Sequence, residues 1–539
     1  MKRLRTGLRP AVALVAAALV LTACGGGSDD DQDSNAAPEQ GSFEYVDGMF
    51  GPEDDASDPQ QGGTLTYAAY SEARSLDPAV SIAAASTGGI EMAALYDVLM
   101  RYDAESEEFV PQLAEGLESN DDLTEWTLTL REGVEFSDGT PLDAQAVADS
   151  QERYYSHTAP DAGLWNANIA SVDVQDPRTV VYTMKQPFAW FDSLLASGPG
   201  MIVAEAAGPV GDAFKPVGAG PFVLERQRAG EELVLAANEN YWNGRPHLDE
   251  LRFVFLGEQT TVQDSFESGS IQAGYFRDPD VVDPVLESGV RGYSNLVAIS
   301  DTALINGTEG RPGADVRVRK AMQLALAPEM VRTRVYDGHG MASARIFPEY
   351  SRWYAEDVDV LEPDVEEAKT LLEEAKADGY DGKITYLDSN TSAGRDTGQV
   401  AKSALEAVGF EVDIELLPTV TDLINRMAVE RDYDFAGWGL NYREADPFSK
   451  LFTTLHSTAT QTYGMPTSPE MDAALEKLQG AQDDATAQEA LAEVQEAYNE
   501  TVPFLTWMPF AELSAWADNV HGVKGAANSI VLFDEAWMD

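Results

Sequence analysis

Only one cysteine, Cys24, stands in this chain of 539 residues, so neither an internal disulfide nor a cysteine-based zinc site can form. The five histidines, His157, His247, His339, His456 and His521, are far apart in sequence and make no HExxH or close pair. That spacing calls for no metal, and no motif calls for a cofactor. Cations are scarce: 36 Lys and Arg face 92 Asp and Glu, a formal charge of −56. Such a balance argues against nucleic acid and against docking on an anionic lipid surface, and it favours solubility or cationic ligands. Catalytic signatures are missing as well. No GxSxG nucleophile elbow and no GxxxxGK[ST] phosphate loop occurs. Paired carboxylates are easy to find among 92 acids and point only faintly to a glycosidase. A binder rather than an enzyme is expected, with a secreted two-acid hydrolase as the remote alternative.

What is present is a globular composition, 44% hydrophobic, on a chain long enough for two or three domains. Residues 1–23 read as a signal peptide. Lys2, Arg3, Arg5 and Arg9 precede the apolar run Ala11–Leu21, which is too short to span a bilayer. Residues 24–61 are rich in Gly, Ser, Asp and Pro and read as a flexible acidic tether. Phe43, Tyr45, Met49 and Phe50 are its apolar exceptions, able to dock on the folded part.

From Gly62 onward strands and helices mix, which indicates an α/β architecture. The stretch Pro111–Tyr155 reads as one unit. Trp126, Leu128 and Leu130 fall on one strand face, Ser137-Asp138-Gly139 turns the chain, and Pro141 and Asp143 open a helix. It lacks metal ligands and any nucleophile–base pair, so it is read as packing. Val172–Thr183 reads as a hairpin. After about Ser300 helices and strands alternate: helices over 315–326, 329–336, 362–377, 398–408 and 421–428, strands over 383–387, 412–416 and 435–438. A parallel sheet with covering helices is expected there. Pro469–Thr501 reads as helical and Val502–Met508 as a strand.

The most chemically loaded stretch is Tyr433–Phe448, where Trp438, Asn441, Tyr442, Arg443 and Asp446 follow a predicted strand. Ligands bind outside the carboxyl ends of strands in α/β proteins. Trp and Tyr offer flat faces with polar tips, and Asn, Arg and Asp supply donors and acceptors. Glu72, after the first strand, and Tyr275 with Arg277, after a later one, are further candidates, with structural salt bridges the competing reading. Arg395, placed before the helix at Gly398, is a candidate anion holder near that helix start.

Several ordered motifs resemble the large extracytoplasmic solute-binding proteins of ABC importers, the family 5 oligopeptide/dipeptide/nickel type. Gly62–Pro78 (GGTLTYAAYSEARSLDP), Leu113–Tyr154 (with LTEWTLTLREGVEFSDGTPL), Gly218–Gly244 (GAGPFVLERQRAGEELVLAANENYWNG) and Asp315–Ala342 carry the likeness. Leu21-Thr22-Ala23-Cys24 resembles a bacterial lipobox, which implies cleavage before Cys24 and a lipid on its thiol; an ordinary secretory signal is the alternative. The resemblance implies a two-lobed periplasmic-binding-protein fold of the large type II class, with the ligand cleft between the lobes. Lobe I would take residues 62–300, including an extra subdomain at about 104–168, and again 505–539; lobe II would take 301–504. It implies a monomeric receptor on the outer face of the cytoplasmic membrane that hands a small solute, with a peptide favoured, to ABC permease subunits. An oligosaccharide or another non-peptide solute is the alternative. Peptide-binding members commonly carry Asp three residues after the equivalent of Trp438, where it meets the peptide's α-ammonium. Here that residue is Asn441, with Asp446 or Glu444 as possible substitutes.

Overall fold

A computed structural model describes residues 43–54, 58–211, 213–459 and 461–539. The expected signal peptide, Cys24 and the tether up to residue 42 lie outside them. The described residues all belong to one unit, Gly41–Asp539. Among them, no helix is long and apolar enough to cross a membrane.

A twelve-stranded mixed sheet runs through this unit. From one end its strands are Glu411–Leu417, Lys383–Ser389, Phe435–Trp438, Arg291–Ile305, Phe504–Trp516, Ala273–Phe276, Thr64–Ala69, Glu250–Phe255, Glu232–Ala237 and Phe222–Arg228. Gly48–Phe50 and Tyr442–Arg443 add to the edges of Arg291–Ile305. The first three strands are parallel to one another, as the alternating pattern predicts, and helices such as Ser392–Val408 cover them. Two long antiparallel strands, Arg291–Ile305 and Phe504–Trp516, join the two ends of the sheet.

Their ladder is interrupted. Val297 pairs with Phe510 and Asp301 with Met508, so three residues, 298–300, face the single Pro509. Proline has no N–H to give to a ladder and belongs at such a break. Ile299 sits there with φ +54°, a left-handed conformation that is a true outlier for a β-branched residue. Its carbonyl is not wasted: it accepts from the N–H groups of Leu440 (2.9 Å) and Asn441 (3.2 Å). The break thus fastens the loop after Trp438 to the centre of the sheet.

Beside the large sheet stands a four-stranded antiparallel one: Ala114–Ser119, Glu125–Leu130, Thr179–Met184 and Ile169–Asp176, in that order. Trp126, Leu128 and Leu130 point into its core with Phe136, as the alternation predicts. The helix Ala144–Tyr155 starts at Asp143, whose side chain accepts from the N–H of Ala146. The expected subdomain boundary at 168 falls inside this layer, because Ile169–Met184 supplies two of its strands. Trp190 Nε1 and Ser193 Oγ, just beyond it, donate to Leu478 O (2.8 Å) and Asp446 Oδ2 (2.5 Å).

The expected flexible tether ends sooner than residue 61. Gly48–Phe50 forms a three-residue ladder with Gly292–Ser294. Asp47 accepts from Leu296 N (2.8 Å) and Asn295 Nδ2 (3.1 Å), and Tyr45 donates to Asp283 (2.5 Å). A side chain at Gly292 would overlap the ring of Phe50, so glycine there makes room for this strap. Of the apolar residues that stood out in the tether, Tyr45 and Phe50 pack on the folded part, Phe43 packs on Tyr45, and Met49 is exposed.

Other differences are local. Pro469–Thr501 is two helices, Pro469–Gln479 and Asp484–Thr501, separated at Gly480 and restarted by a capping box on Asp483. The helix expected from Gly398 begins at Ser392, capped by Thr391.

In the helix Gly89–Tyr96, Glu91 is fully buried and, among the described residues, neither carboxylate oxygen has a hydrogen-bond partner. Burial pushes its pKa from 4.5 up to about 7. The folded state therefore holds a proton that the unfolded chain releases above about 4.5, so Glu91 costs stability progressively as pH rises from about 4.5 to 7. Glu91→Gln should be the more stable protein at pH 8, by up to about 3 kcal/mol, with the gap closing toward pH 4.5. Urea unfolding of both proteins across this range checks it. A constant difference at all pH values would sink the assignment.

Candidate functional site

The carboxyl ends of Lys383–Ser389, Phe435–Trp438 and Ala273–Phe276 meet the interruption in the two long strands, and polar side chains gather there. Glu512, three residues past Pro509, is only 1% exposed. Its Oε2 accepts from Arg443 Nη2 (2.9 Å) and Ser529 Oγ (2.6 Å); its Oε1 lies 3.7 Å from Arg277 Nε. Arg443 Nη1 also donates to Ser529 Oγ (2.7 Å). Arg277 Nη2 donates to Asn441 Oδ1 (3.2 Å), and its guanidinium lies over the Phe510 ring at 5.7 Å. Burial opposes charge on Glu512, but Arg443, Arg277 and the Ser529 hydroxyl outweigh it and hold the carboxyl down at about 2.

Two carboxyls face the same region from the strands. Asp301 accepts from Tyr336 Oη (2.9 Å), and Asp388, near the end of Lys383–Ser389, accepts from Tyr386 Oη (2.6 Å). Burial pushes Asp301 up to about 6 and raises Asp388 as well. A side chain at Gly437 would overlap Asp388 and the Tyr386 hydroxyl, so glycine is what lets this carboxyl lie across the strand.

The structure brings Tyr275, Arg277, Asn441 and Arg443 together, with Trp438 half-buried nearby and packed on Tyr463 at 6.1 Å. Four other candidates stand elsewhere. Tyr442 is fully buried between Phe347 and Phe504, its hydroxyl on Thr454 (3.2 Å), so its ring fills the core instead of facing a solute. Asp446 caps the helix Pro447–Leu455 and accepts from Ser193. Glu72 ties down the hairpin at Gly230 N (2.7 Å) and Gln227 (3.2 Å). Arg395 lies inside its helix, is exposed, and folds back onto Asn390 (2.9 Å). Glu444, a suggested stand-in for the missing aspartate, is buried against Ser351 (2.9 Å). Sequence reasoning passed over Glu512, Asp301 and Asp388. Asp388 at the end of a predicted strand was a usable signal; Glu512 had none.

Residues 108–495 match the family described as bacterial extracellular solute-binding proteins, family 5 Middle. The chain belongs to this family. A glutathione-binding protein GsiB of Salmonella typhimurium is 30% identical over 373 residues, 65% of this chain and 70% of that one. The probable D,D-dipeptide-binding periplasmic protein DdpA of Escherichia coli is 25% identical over 399 residues, 71% of this chain and 76% of that one. Among solved structures, the oligopeptide-binding protein AppA of Bacillus subtilis in complex with a nonapeptide superposes with a TM-score of 0.74 at 21% identity, over 89% of this chain and all of the other. The DppA protein of Helicobacter pylori in complex with the peptide STSA gives 0.75 at 21% identity, over 89% and 98%. The fold of this family 5 protein is thus the two-lobed periplasmic-binding-protein fold. Family members are extracytoplasmic binding proteins of ABC importers, not enzymes.

Replacing Glu512 by Gln would leave the half-buried Arg277 and Arg443 beside a neutral, buried group. Breaking a buried pair in this way costs about 3–5 kcal/mol, so Glu512→Gln should unfold at clearly lower denaturant than the parent at pH 7. The stabilisation supplied by Glu512 is present above its ordinary 4.5 and is lost as pH falls through about 2. The deficit of the variant should therefore shrink in strong acid. Equal midpoints at pH 7 would refute the role of Glu512 as the shared counter-ion.

Proposed function

We propose that this chain is a lipid-anchored receptor that captures an oligopeptide between its two lobes and delivers it to the permease of an ABC importer. The observation that carries the reading is the polar seam at the interruption of the two crossing strands, within a family whose relatives include glutathione-, dipeptide- and oligopeptide-binding proteins. In this reading lobe I is residues 62–300 and 505–539, with a subdomain that extends past 168, and lobe II is 301–504. The break at residues 298–300 and Pro509 serves as the hinge. Tyr275 and Arg277 reach the solute from lobe I, Trp438 and Asn441 from lobe II. Cys24 carries the lipid and holds the receptor, as a monomer, on the outer face of the cytoplasmic membrane.

Capture of this kind shifts an equilibrium between open and closed forms, because the closed form adds contacts from the second lobe. Mass spectrometry of solutes released from the purified protein should identify a peptide. Adding that peptide to ligand-stripped protein should reduce the radius of gyration measured by small-angle scattering. An unchanged radius at saturation would count against closure, and a bound oligosaccharide would replace the peptide. The half-exposed ring of Trp438 is the feature that favours that second outcome.

A further inference from the structure

In the corner formed by Tyr275, Arg277 and Asn441, several side-chain donors meet no acceptor among the described residues. Asn441 is held in a left-handed conformation (φ +57°), and its backbone N–H is spent on Ile299 O. Its side-chain oxygen accepts from Arg277 Nη2, which turns Nδ2 away from the guanidinium. Arg277 has one ion pair among the described residues, the 3.7 Å approach to Glu512 Oε1, which is too long for a hydrogen bond. Glu512 spends its other oxygen on Arg443 and Ser529. Tyr275 is fully buried, and its hydroxyl has no hydrogen-bond partner among the described residues. Asp278 and Asp301 also face Arg277, but neither pairs with it, and burial raises both carboxyls.

Arg277 Nη1, Asn441 Nδ2 and the Tyr275 hydroxyl are therefore three donors from two widely separated parts of the chain, with a half-buried guanidinium at their centre. The Tyr275 hydroxyl is buried without a partner among the described residues, which is costly, and a solute that supplies an acceptor recovers that cost. The fork of a guanidinium matches a planar group with two oxygens and negative charge.

We propose, resting on the receptor reading above, that this corner binds a carboxylate of the solute through Arg277, Asn441 and Tyr275. A free α-ammonium is not what this corner selects. The solute class is a carboxylate-bearing molecule whose acid group is buried at the seam, and Asn441 is a specificity residue because its neutral amide donates where an acid would repel.

The test uses the full-length protein stripped of ligand and four probes: trialanine, N-acetyl-trialanine, trialanine amide and tricarballylate. Affinities are read by calorimetry. Acetylation should change the affinity by less than about threefold, while amidation should weaken it by about tenfold or more. Asn441→Asp and Arg277→Lys keep shape or charge, and their melting temperatures report that they fold. Asn441→Asp should weaken binding of each acid probe and Arg277→Lys should do so by about tenfold, for loss of the fork. Should the three peptides fail while tricarballylate binds with the same dependence on Arg277 and Asn441, the peptide reading falls and the carboxylate inference stands. Equal binding of trialanine and its amide, insensitivity to both substitutions, or binding of none of the four probes overturns the inference. The receptor reading is judged separately, by closure with whatever solute co-purifies.

Discussion

The structure depends on an interruption between two strands. Arg291–Ile305 and Phe504–Trp516 would form an unbroken ladder if Pro509 had an N–H to give and if Ile299 lay in extended conformation. They do not, and the unpaired carbonyl of Ile299 becomes the anchor for the backbone of Leu440 and Asn441. An unsatisfied backbone group in a buried sheet is expensive. The loop after Trp438 is therefore bound to this point by the same requirement that broke the ladder. Past the break the strand resumes with Phe510 and Glu512, which supplies the ring under Arg277 and the carboxylate beside it. Backbone accounting thus places the whole polar cluster.

Charge is arranged against the overall composition. A chain with 92 acids puts two arginines around one buried glutamate. The pairing keeps Glu512 ionised despite full burial, while the carboxyls that lack a basic partner, Asp301, Asp388 and Glu91, are pushed the other way. The same residue type carries opposite tendencies within one molecule, and the presence or absence of a guanidinium decides which.

Much of the fold was legible because periodicity survives burial on one face. Trp126, Leu128 and Leu130 alternate cleanly, and Asp143 and Thr391 act as caps that short-range chemistry explains. The strand Arg291–Ile305 escaped notice because neighbours cover it on both faces and its interior includes Ser294, Asn295, Ser300 and Asp301. It has no alternation, its longest apolar run is only Leu296–Ile299, and its polar side chains are satisfied by residues far away in sequence, such as Asp47 and Ser529. The site was half legible for the same reason. Tyr275, Arg277, Asn441 and Arg443 lie at predicted strand ends, where a local rule applies. Tyr442 could not be told from them, because a tyrosine in a chemically mixed loop looks the same whether its ring faces solvent or a core. Arg395 was misplaced by one helical start, since Thr391 rather than a residue near Gly398 caps that helix.

The strap Tyr45–Phe50 joins the molecule on Gly292–Leu296, next to the interrupted ladder. In the closure proposed above, whatever precedes residue 43 is attached beside the hinge, not at the rim of either lobe. A door hung at its hinge pin can swing without dragging the wall, and a leash fixed there exerts little torque on either leaf. Phe50 in the space left by Gly292 and Asp47 on the Leu296 amide make that fixing point part of the sheet itself. Tension applied ahead of residue 43 would be borne by three rungs of backbone and the carboxylates of Asp47 and Asp283, and in the proposed closure both leaves would remain free to turn.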